Sequence, residues 1–386
     1  MASNDKTSFV KDRIEFLKNN GLYRSLRTVV GTVPTAFVDD NQLVNLCSND
    51  YLGLSTNKQV IENTIASLFR VSQCSSRLIA GNHPKISELE GLLAFHRKTE
   101  SALIYPTGYT ANLGVLTALA DQSTTIYSDE LNHASIVDAC RLSRATIAIF
   151  RHNDTKHLEE LMKLDGGKKI VITEGIFSMD GDIGRLSEIE KQANKHNAIT
   201  IVDDAHGDFV LGPDFSGTQA KLNVNFDIHI SSMSKALGCF GGYVATTSSI
   251  KELLINSSRQ LIYTSALPDH LCSAAISAIP IAKRGDLQRK LQSNSLYFSS
   301  AIRRIGLEIG TSSSQIIPVH IGKEKDAVDY SNELLREGVF VQAIRYPSVK
   351  RGQALLRVSL TALHEQEHLD CAVDALERVG RRIGLL

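Results

Sequence analysis

This sequence lacks a net charge: its 42 basic and 42 acidic residues cancel. It also lacks any lysine- or arginine-rich run, so no global field draws it to nucleic acid or to an anionic membrane. Its six cysteines, Cys47, Cys74, Cys140, Cys239, Cys272 and Cys371, are scattered without a Cys-x-x-Cys spacing. That argues against a zinc site and against a disulfide scaffold. No apolar run is long enough to span a bilayer, and Met1 to Lys11 has no hydrophobic signal core. Internal repeats, low-complexity stretches and an obvious flexible linker are missing too. What is left is a reduced, soluble, cytoplasmic globular protein. At 386 residues it is too long for one simple core, which predicts a large domain and at least one smaller one.

What is present is an alternation of helical segments and short buried strands. Residues 56–267 are expected to form the large domain. Ser101–Tyr105, Thr124–Tyr127, Thr146–Phe150, Lys169–Thr173, Ile199–Val202, Phe226–Ile230 and Gly242–Thr246 read as its strands. Ile61–Phe69, Ile86–Phe95, Asn112–Leu119, Ser135–Leu142, Thr155–Leu164 and Leu186–Asn194 read as its helices. Such alternation with apolar strands predicts an α/β domain: a mostly parallel sheet with helices on both faces. Residues 1–55 form an N-terminal arm. In it Ser8 to Arg27 is amphipathic, with Gly21 ending the first helix, and Ala36 to Leu46 forms a hairpin turning at Asp39-Asp40-Asn41. The arm has no core of its own and must lie on the main domain or on a partner subunit. Residues 268–386 read as a smaller α+β domain. It has a long helical stretch at Leu271–Ile305, strands at Ile316–Ile321, Phe340–Ile344 and Leu355–Leu360, and helices at Asp326–Glu337 and Glu365–Ile383.

Ligands of parallel sheets sit at the carboxyl ends of the strands, so the residues there can be read chemically. After the first strand a glycine turn, Thr107-Gly108-Tyr109, opens a helix whose free N–H groups suit an anion. After the second comes His133, which is either a helix cap or a flat ring laid over an aromatic ligand. Ser178 follows the fourth. After the fifth come Asp203, Asp204 and His206. Two acids and a histidine past a buried strand are costly unless they serve a ligand, a metal or each other. A metal is the weaker reading, since no further His/Asp cluster has ligand spacing. After the sixth strand come Ser231, Ser232, Ser234 and Lys235, with glycines at 238, 241 and 242. Alone, Lys235 is a loop lysine. A partly desolvated pocket would lower its pKa and make it able to form an imine with a carbonyl cofactor. Pyridoxal 5'-phosphate (PLP) needs this whole set: a phosphate cradle, a ring platform, a partner for its ring nitrogen and a lysine for its aldehyde.

The motifs then carry a resemblance. SNDYLGL (48–54), SRLIAGNHP (76–84), TGYTAN (107–112), DELNHASI (129–136), TEGIFSMDGD (173–182), VDDAHG (202–207), SKALG (234–238) and GGYVA (241–245) are similar to blocks of the α-oxoamine synthase family of PLP enzymes. The resemblance runs from about Gly21 to the last helix. It implies the aspartate-aminotransferase-like fold, with a mostly parallel seven-stranded sheet. SRQLIYTSALP (258–268) and VQAIRYPSVKRGQALLRVSLTALH (341–364) resemble the branch that condenses L-alanine with a pimeloyl thioester, releasing carbon dioxide and the thiol carrier, coenzyme A or acyl carrier protein.

By that likeness Lys235 forms the imine and acts as general base, Asp203 pairs with the ring nitrogen, and His133 stacks on the ring. His206 bonds the cofactor's phenolic oxygen, with Ser178 a neighbour. Gly108, Tyr109 and Ser232 hold the phosphate, with Thr264 and Ser265 reaching it from the other subunit of a homodimer. Arg357 binds the substrate carboxylate, with Asn49 and Arg24 on the substrate side. No metal is implied.

Three departures from the family pattern stand out. Cys74 and Ser75 replace glycines, Ile86 stands where histidine is common, and Asp208-Phe209-Val210 replaces a small pair. All three are expected to touch the substrate loops rather than the cofactor set. Sister enzymes that use glycine or serine share every cofactor residue. A non-catalytic partner subunit would be expected to lack the lysine or the acid, and Lys235 and Asp203 are both present.

Overall fold

The computed structural model describes residues 6–163 and 167–386. Leu164, the expected last residue of the Thr155 helix, and residues 1–5 lie outside the described residues. The first helix spans Ser8–Asn19 and buries none of its residues. It is shorter than the amphipathic stretch because Gly21 takes a φ of 65°, the left-handed geometry that ends a helix. The hairpin forms as its turn residues predict. Strands β1 (Val29–Gly31), β2 (Thr35–Val38) and β3 (Asn41–Asn45) run antiparallel. Asp39 and Asp40 turn β2 into β3 with φ of 49° and 66°. Two consecutive positive-φ residues match the twist of a hairpin, and aspartate tolerates that region.

The large sheet contains β4 (Ser101–Tyr105), β5 (Thr124–Asp129), β6 (Thr146–Phe150), β7 (Lys168–Glu174), β8 (Ile199–Asp203), β9 (Ile228–Ser232) and β10 (Gly242–Thr246). Their order across the sheet is β4-β10-β9-β8-β7-β5-β6. All neighbours are parallel except around β10, which runs antiparallel to both β4 and β9. Alternate residues of one strand feed two cores. Ile170 and Ile172 lie with Leu116 and Ile136, whereas Val171 lies with Leu158 and Ile189. Helices therefore cover both faces, as the apolar strands require. Four strands extend one or two residues past their apolar runs, to Asp129, Glu174, Asp203 and Ser232. Ladder hydrogen bonds belong to the backbone and do not stop where side chains turn polar.

The long helical stretch divides into Asp269–Ala282 and Asp286–Arg304, separated at Gly285 with φ 84°. Strands β11 (Ile316–Gly322), β12 (Val339–Phe340), β13 (Gln342–Ile344) and β14 (Ala354–Ser359) follow. The expected single strand at 340–344 is thus two. β12 pairs parallel with β3, placing Val339 opposite Val44, while β13 joins β11 and β14 in a separate sheet. The arm is thereby fastened to a late part of the chain. Among the described residues no helix is long and apolar enough to cross a membrane.

Candidate active site

The parallel register sets Glu174 beside Asp203 at the carboxyl edge of β7 and β8. Next to them β9 ends at Ser232, and the chain turns through Ser234 and Lys235. Gly238, at φ 61°, lets this turn lie against the arm: a Cβ there would sit 2.3 Å from the amide nitrogen of Ser55. Lys235 Nζ lies 2.8 Å from His206 Nε2. Burial pushes the amine down to about 8, against the pull of Asp203 and Glu174. Such an amine is a competent nucleophile near neutral pH.

His206 is buried, and burial followed by the nearby Lys235 charge holds its pKa well below the usual value. Its other nitrogen, Nδ1, is 2.6 Å from the hydroxyl of the fully buried Tyr51. A neutral imidazole donates from one nitrogen and accepts at the other. Tyr51 on one side therefore governs what Lys235 meets on the other. The Tyr51 hydroxyl also lies 3.2 Å from Asn49 Oδ1. That oxygen accepts from Arg357 Nη1, again at 3.2 Å. One hydrogen-bonded line thus joins the lysine to the arginine.

Asp203 accepts from Asn112 Nδ2 at 2.7 Å and from the Ala205 amide at 3.1 Å. Among the described residues no cation lies within ion-pair distance of it, although it is only 9% exposed. Asn112 Oδ1, beside it, is buried without a hydrogen-bond partner. Glu174 accepts the His133 amide at 2.6 Å, and burial, then repulsion from Asp203, pushes its carboxyl well up. His133 does cap a helix: its Nδ1 accepts from the Ser135 amide at 3.2 Å. The ring is nonetheless exposed, so capping leaves a face free.

The anion cradle has a close-packed floor. A Cβ on Gly242 would lie 2.3 Å from the Gly108 nitrogen, and a Cβ on Gly108 would lie 3.3 Å from that of Ser232. Only glycines let β10 and the end of β9 come up under the Gly108–Leu119 helix. Thr107 and Thr110 form a capping box. The amides of Gly108 and Tyr109 precede the first intrahelical bond and point outward. Ser232 Oγ, 2.7 Å from Ser234 Oγ, stands beside them.

Arg357 donates from Nε to the Ser178 carbonyl at 2.5 Å and from Nη1 to Ser359 Oγ at 2.8 Å. Among the described residues it has no carboxylate partner, although it too is only 9% exposed. Arg24 is exposed on the arm, and no hydrogen bond or ion pair joins it to this group. Thr264 and Ser265 lie apart as well; Ser265 bridges to Ser76, and Ser265 is exposed.

PLP fits what is here: a cradle of outward amides and hydroxyls, a buried carboxylate lacking a cation, an exposed imidazole face and a deprotonatable amine. Sequence reasoning misses Tyr51, Glu174 and Asn112. Glu174 carries a usable signal, since it follows an apolar strand as Asp203 does. Tyr51 and Asn112 carry none beyond lying within two of the matched blocks.

Two of the three departures from the family pattern sit elsewhere than expected. Ile86 is fully buried in the core, and Asp208 and Phe209 are buried behind the site. Apolar Ile86 and Phe209 go where burial is favourable, and Asp208 follows because it finds four donors there. Cys74 is exposed, at a φ of 53° that glycine adopts more easily.

Comparison with known proteins gives a consistent set of relatives. The family model for aminotransferase class I and II matches residues 41–376. A curated protein of Thermoanaerobacter pseudethanolicus named 8-amino-7-oxononanoate synthase is 41% identical over 395 residues, covering all of both chains. The structure of serine palmitoyltransferase from Sphingomonas wittichii aligns with a TM-score of 0.93 at 29% identity, over 99% of this chain and 100% of that one. A second structure, described as SPT with PLP as internal aldimine, has the same TM-score at 27% identity and covers 99% of each chain.

Proposed function

The chain belongs to the class I and II aminotransferase family, and from that premise we propose that it is a PLP-dependent 8-amino-7-oxononanoate synthase. It condenses L-alanine with a pimeloyl thioester and releases carbon dioxide and the free thiol carrier, a step of biotin biosynthesis. The observation that carries the chemistry is the desolvated Lys235 amine, 2.8 Å from His206 and close to Asp203. The choice of alanine and a pimeloyl group rests on the name shared by relatives that match the chain over its full length.

PLP, when bound, supplies an aldehyde that condenses with amines and a ring that takes up the electron pair released at the substrate's Cα. The protein's own residues do the rest. Gly108, Tyr109 and Ser232 seat the phosphate, and Asp203 holds a proton on the ring nitrogen. His133 offers its exposed face to the ring, and His206 donates to the phenolic oxygen, with Ser178 alongside. Lys235 would hold the cofactor's aldehyde, and its free amine would take the substrate's Cα proton at Nζ. Arg357, with Asn49, holds the alanine carboxylate, and its guanidinium suits a bidentate pair. Arg24 lies on the arm, on the substrate side.

Thr264 and Ser265 serve the site of a second copy in a homodimer. Supporting this, the first helix buries nothing, and Phe69, Val71 and Ile79 are 86%, 81% and 82% exposed. The arm to residue 55, the sheet domain to 267 and the remainder form its three parts.

A serine-using reading is favoured by one observation, the match to serine palmitoyltransferase structures. Product analysis decides between them. The protein with PLP is incubated with L-alanine, glycine or L-serine and pimeloyl-CoA, or with palmitoyl-CoA. Alanine with pimeloyl-CoA is expected to give 8-amino-7-oxononanoate fastest; faster turnover of serine with palmitoyl-CoA overturns the proposal.

A further inference from the structure

Asp208 lies two residues past His206 and five past Asp203. It is only 3% exposed, and its hydrogen bonds go to side chains of the protein itself. Its Oδ1 accepts from His96 Nε2 at 2.9 Å and from Arg97 Nη1 at 3.0 Å. Its Oδ2 accepts from Ser231 Oγ at 2.8 Å and from the Tyr243 hydroxyl. Ser231 and Tyr243 are directly opposite each other in the β9–β10 ladder. Ser231 also precedes Lys235 by only four residues. One carboxylate therefore holds the loop that carries His206 and the strand that delivers Lys235.

The base of this tie is firm. Arg97 also donates to Asp204 Oδ2 at 3.1 Å and to the Ser216 carbonyl at 2.7 Å, and its Nη2 lies 2.8 Å from His229 Nδ1. Lys283 Nζ lies 3.2 Å from His96 Nδ1. With a donor at Nδ1, His96 keeps its own proton on Nε2 for Asp208. Phe209 takes a φ of 59°, strained for a bulky residue, and stacks its ring on His96 at 3.8 Å and 4°. The stack fixes the imidazole that feeds Asp208. Arg97 and Asp208, together with Ser231 and Tyr243, have no reason to meet a cofactor; they lie behind those that do.

We propose that Asp208 is a positioning residue, which sets the separation of the Lys235 amine from the His206 imidazole by binding the two segments that carry them. This rests on the reading of Lys235 as the reacting amine, but not on which amino acid or thioester the enzyme uses. A carboxylate suits the task because charge-assisted hydrogen bonds are roughly twice as strong as neutral ones. Weakening the tie lets water reach Lys235, and desolvation is the main cause holding that amine down. Asp203, Glu174, Arg357, His133 and His206 are the other titratable groups facing it, and none of them is altered.

The test uses the cofactor-free protein, so it does not depend on turnover. Trace acetylation by acetic anhydride across pH is followed at Lys235 by peptide mass spectrometry, with Lys58, whose side chain is 88% exposed, as internal control. Ser231→Ala removes one donor and leaves the Arg97 pair intact; Asp208→Asn weakens the whole tie. In the parent the Lys235 profile should turn near pH 8. In both variants it should move to higher pH, lowering the rate at pH 8 relative to Lys58 by roughly threefold to tenfold. If Asp208→Asn fails to fold, Ser231→Ala decides. An unchanged Lys235 profile in Ser231→Ala overturns the proposal, whatever happens to the urea midpoint, and leaves Asp208 a structural residue only.

Discussion

Two polar clusters stand back to back in this molecule, and they are finished differently. In front, around Lys235, the pairing is incomplete. Among the described residues Asp203 has no cation within ion-pair distance and Arg357 has no carboxylate, and Glu174 is pushed up by its burial and by its acidic neighbour. Behind, around Asp208, almost every group is answered, and Arg97 spans two aspartates and a carbonyl. The same residue types, buried to a similar degree, thus do opposite things. Unpaired charge in front is free energy held for a ligand that will supply the partner. Paired charge behind prevents the loops from relaxing to remove the deficit. An active site needs both, because a deficit on a soft support would be relieved by movement.

Substitutions that act on one cluster and spare the other test that contrast. The largest effect belongs to Lys235→Ala in front. Product formation from L-alanine and pimeloyl-CoA should fall by roughly a thousandfold or more, with little change in the urea midpoint. A rate within tenfold of the parent would remove Lys235 from the chemistry. Next is Arg97→Met behind, which leaves two buried carboxylates without a cation and should cost about 3–5 kcal/mol in urea titration. That deficit should shrink as the pH falls toward about 6. Burial pushes Asp204 up to about 6 in the parent, where Arg97 holds it back; without the arginine Asp204 takes its proton at higher pH, and between the two values protonation relieves the variant alone. A stability loss independent of pH would mean packing, not charge, is what Arg97 supplies.

Arg357→Lys in front keeps the charge but loses the fork. KM for alanine should rise about 10- to 100-fold with a smaller change in kcat, read from steady-state kinetics. An unaltered KM would place the carboxylate elsewhere. The smallest effect is Tyr51→Phe, which removes the hydroxyl at His206 Nδ1. The loss should be about 1 kcal/mol, roughly a threefold to tenfold fall in kcat, with KM for alanine nearly unchanged. If KM moved instead, Tyr51 would be acting through Asn49 and Arg357.

The front cluster is largely legible in the sequence and the back cluster is not. Strand ends are signalled by apolar runs that stop, so those stops alone place Asp203, His206, Ser232 and Lys235 at one sheet edge. Glu174 obeys the same rule, but it opens a motif in which the hydroxyl of Ser178 is the more obvious chemical group. Arg97 and His96 give no sign. They lie just past the expected Ile86–Phe95 helix and close the observed one, Pro84–Arg97, and their partners lie more than a hundred positions later. Periodicity reports which face is buried, not which buried charge meets which. The same limit hides the division of the 340–344 strand. Two residues joining one sheet and three joining another look like one continuous run.

The parallel pairing of Val44 with Val339 also bears on when the enzyme comes into being. A nascent chain that has released the large sheet holds Lys235, Asp203 and His206. It has neither Arg357 nor the strand that fastens the segment leading to Asn49 and Tyr51. Contacts between such distant positions form late, because the intervening loop must close first. The cofactor half of the site is written in the middle of the message and the substrate half in its two ends. Competence is therefore the last thing the ribosome delivers, and a prematurely ended chain lacks the arginine that would hold alanine for turnover.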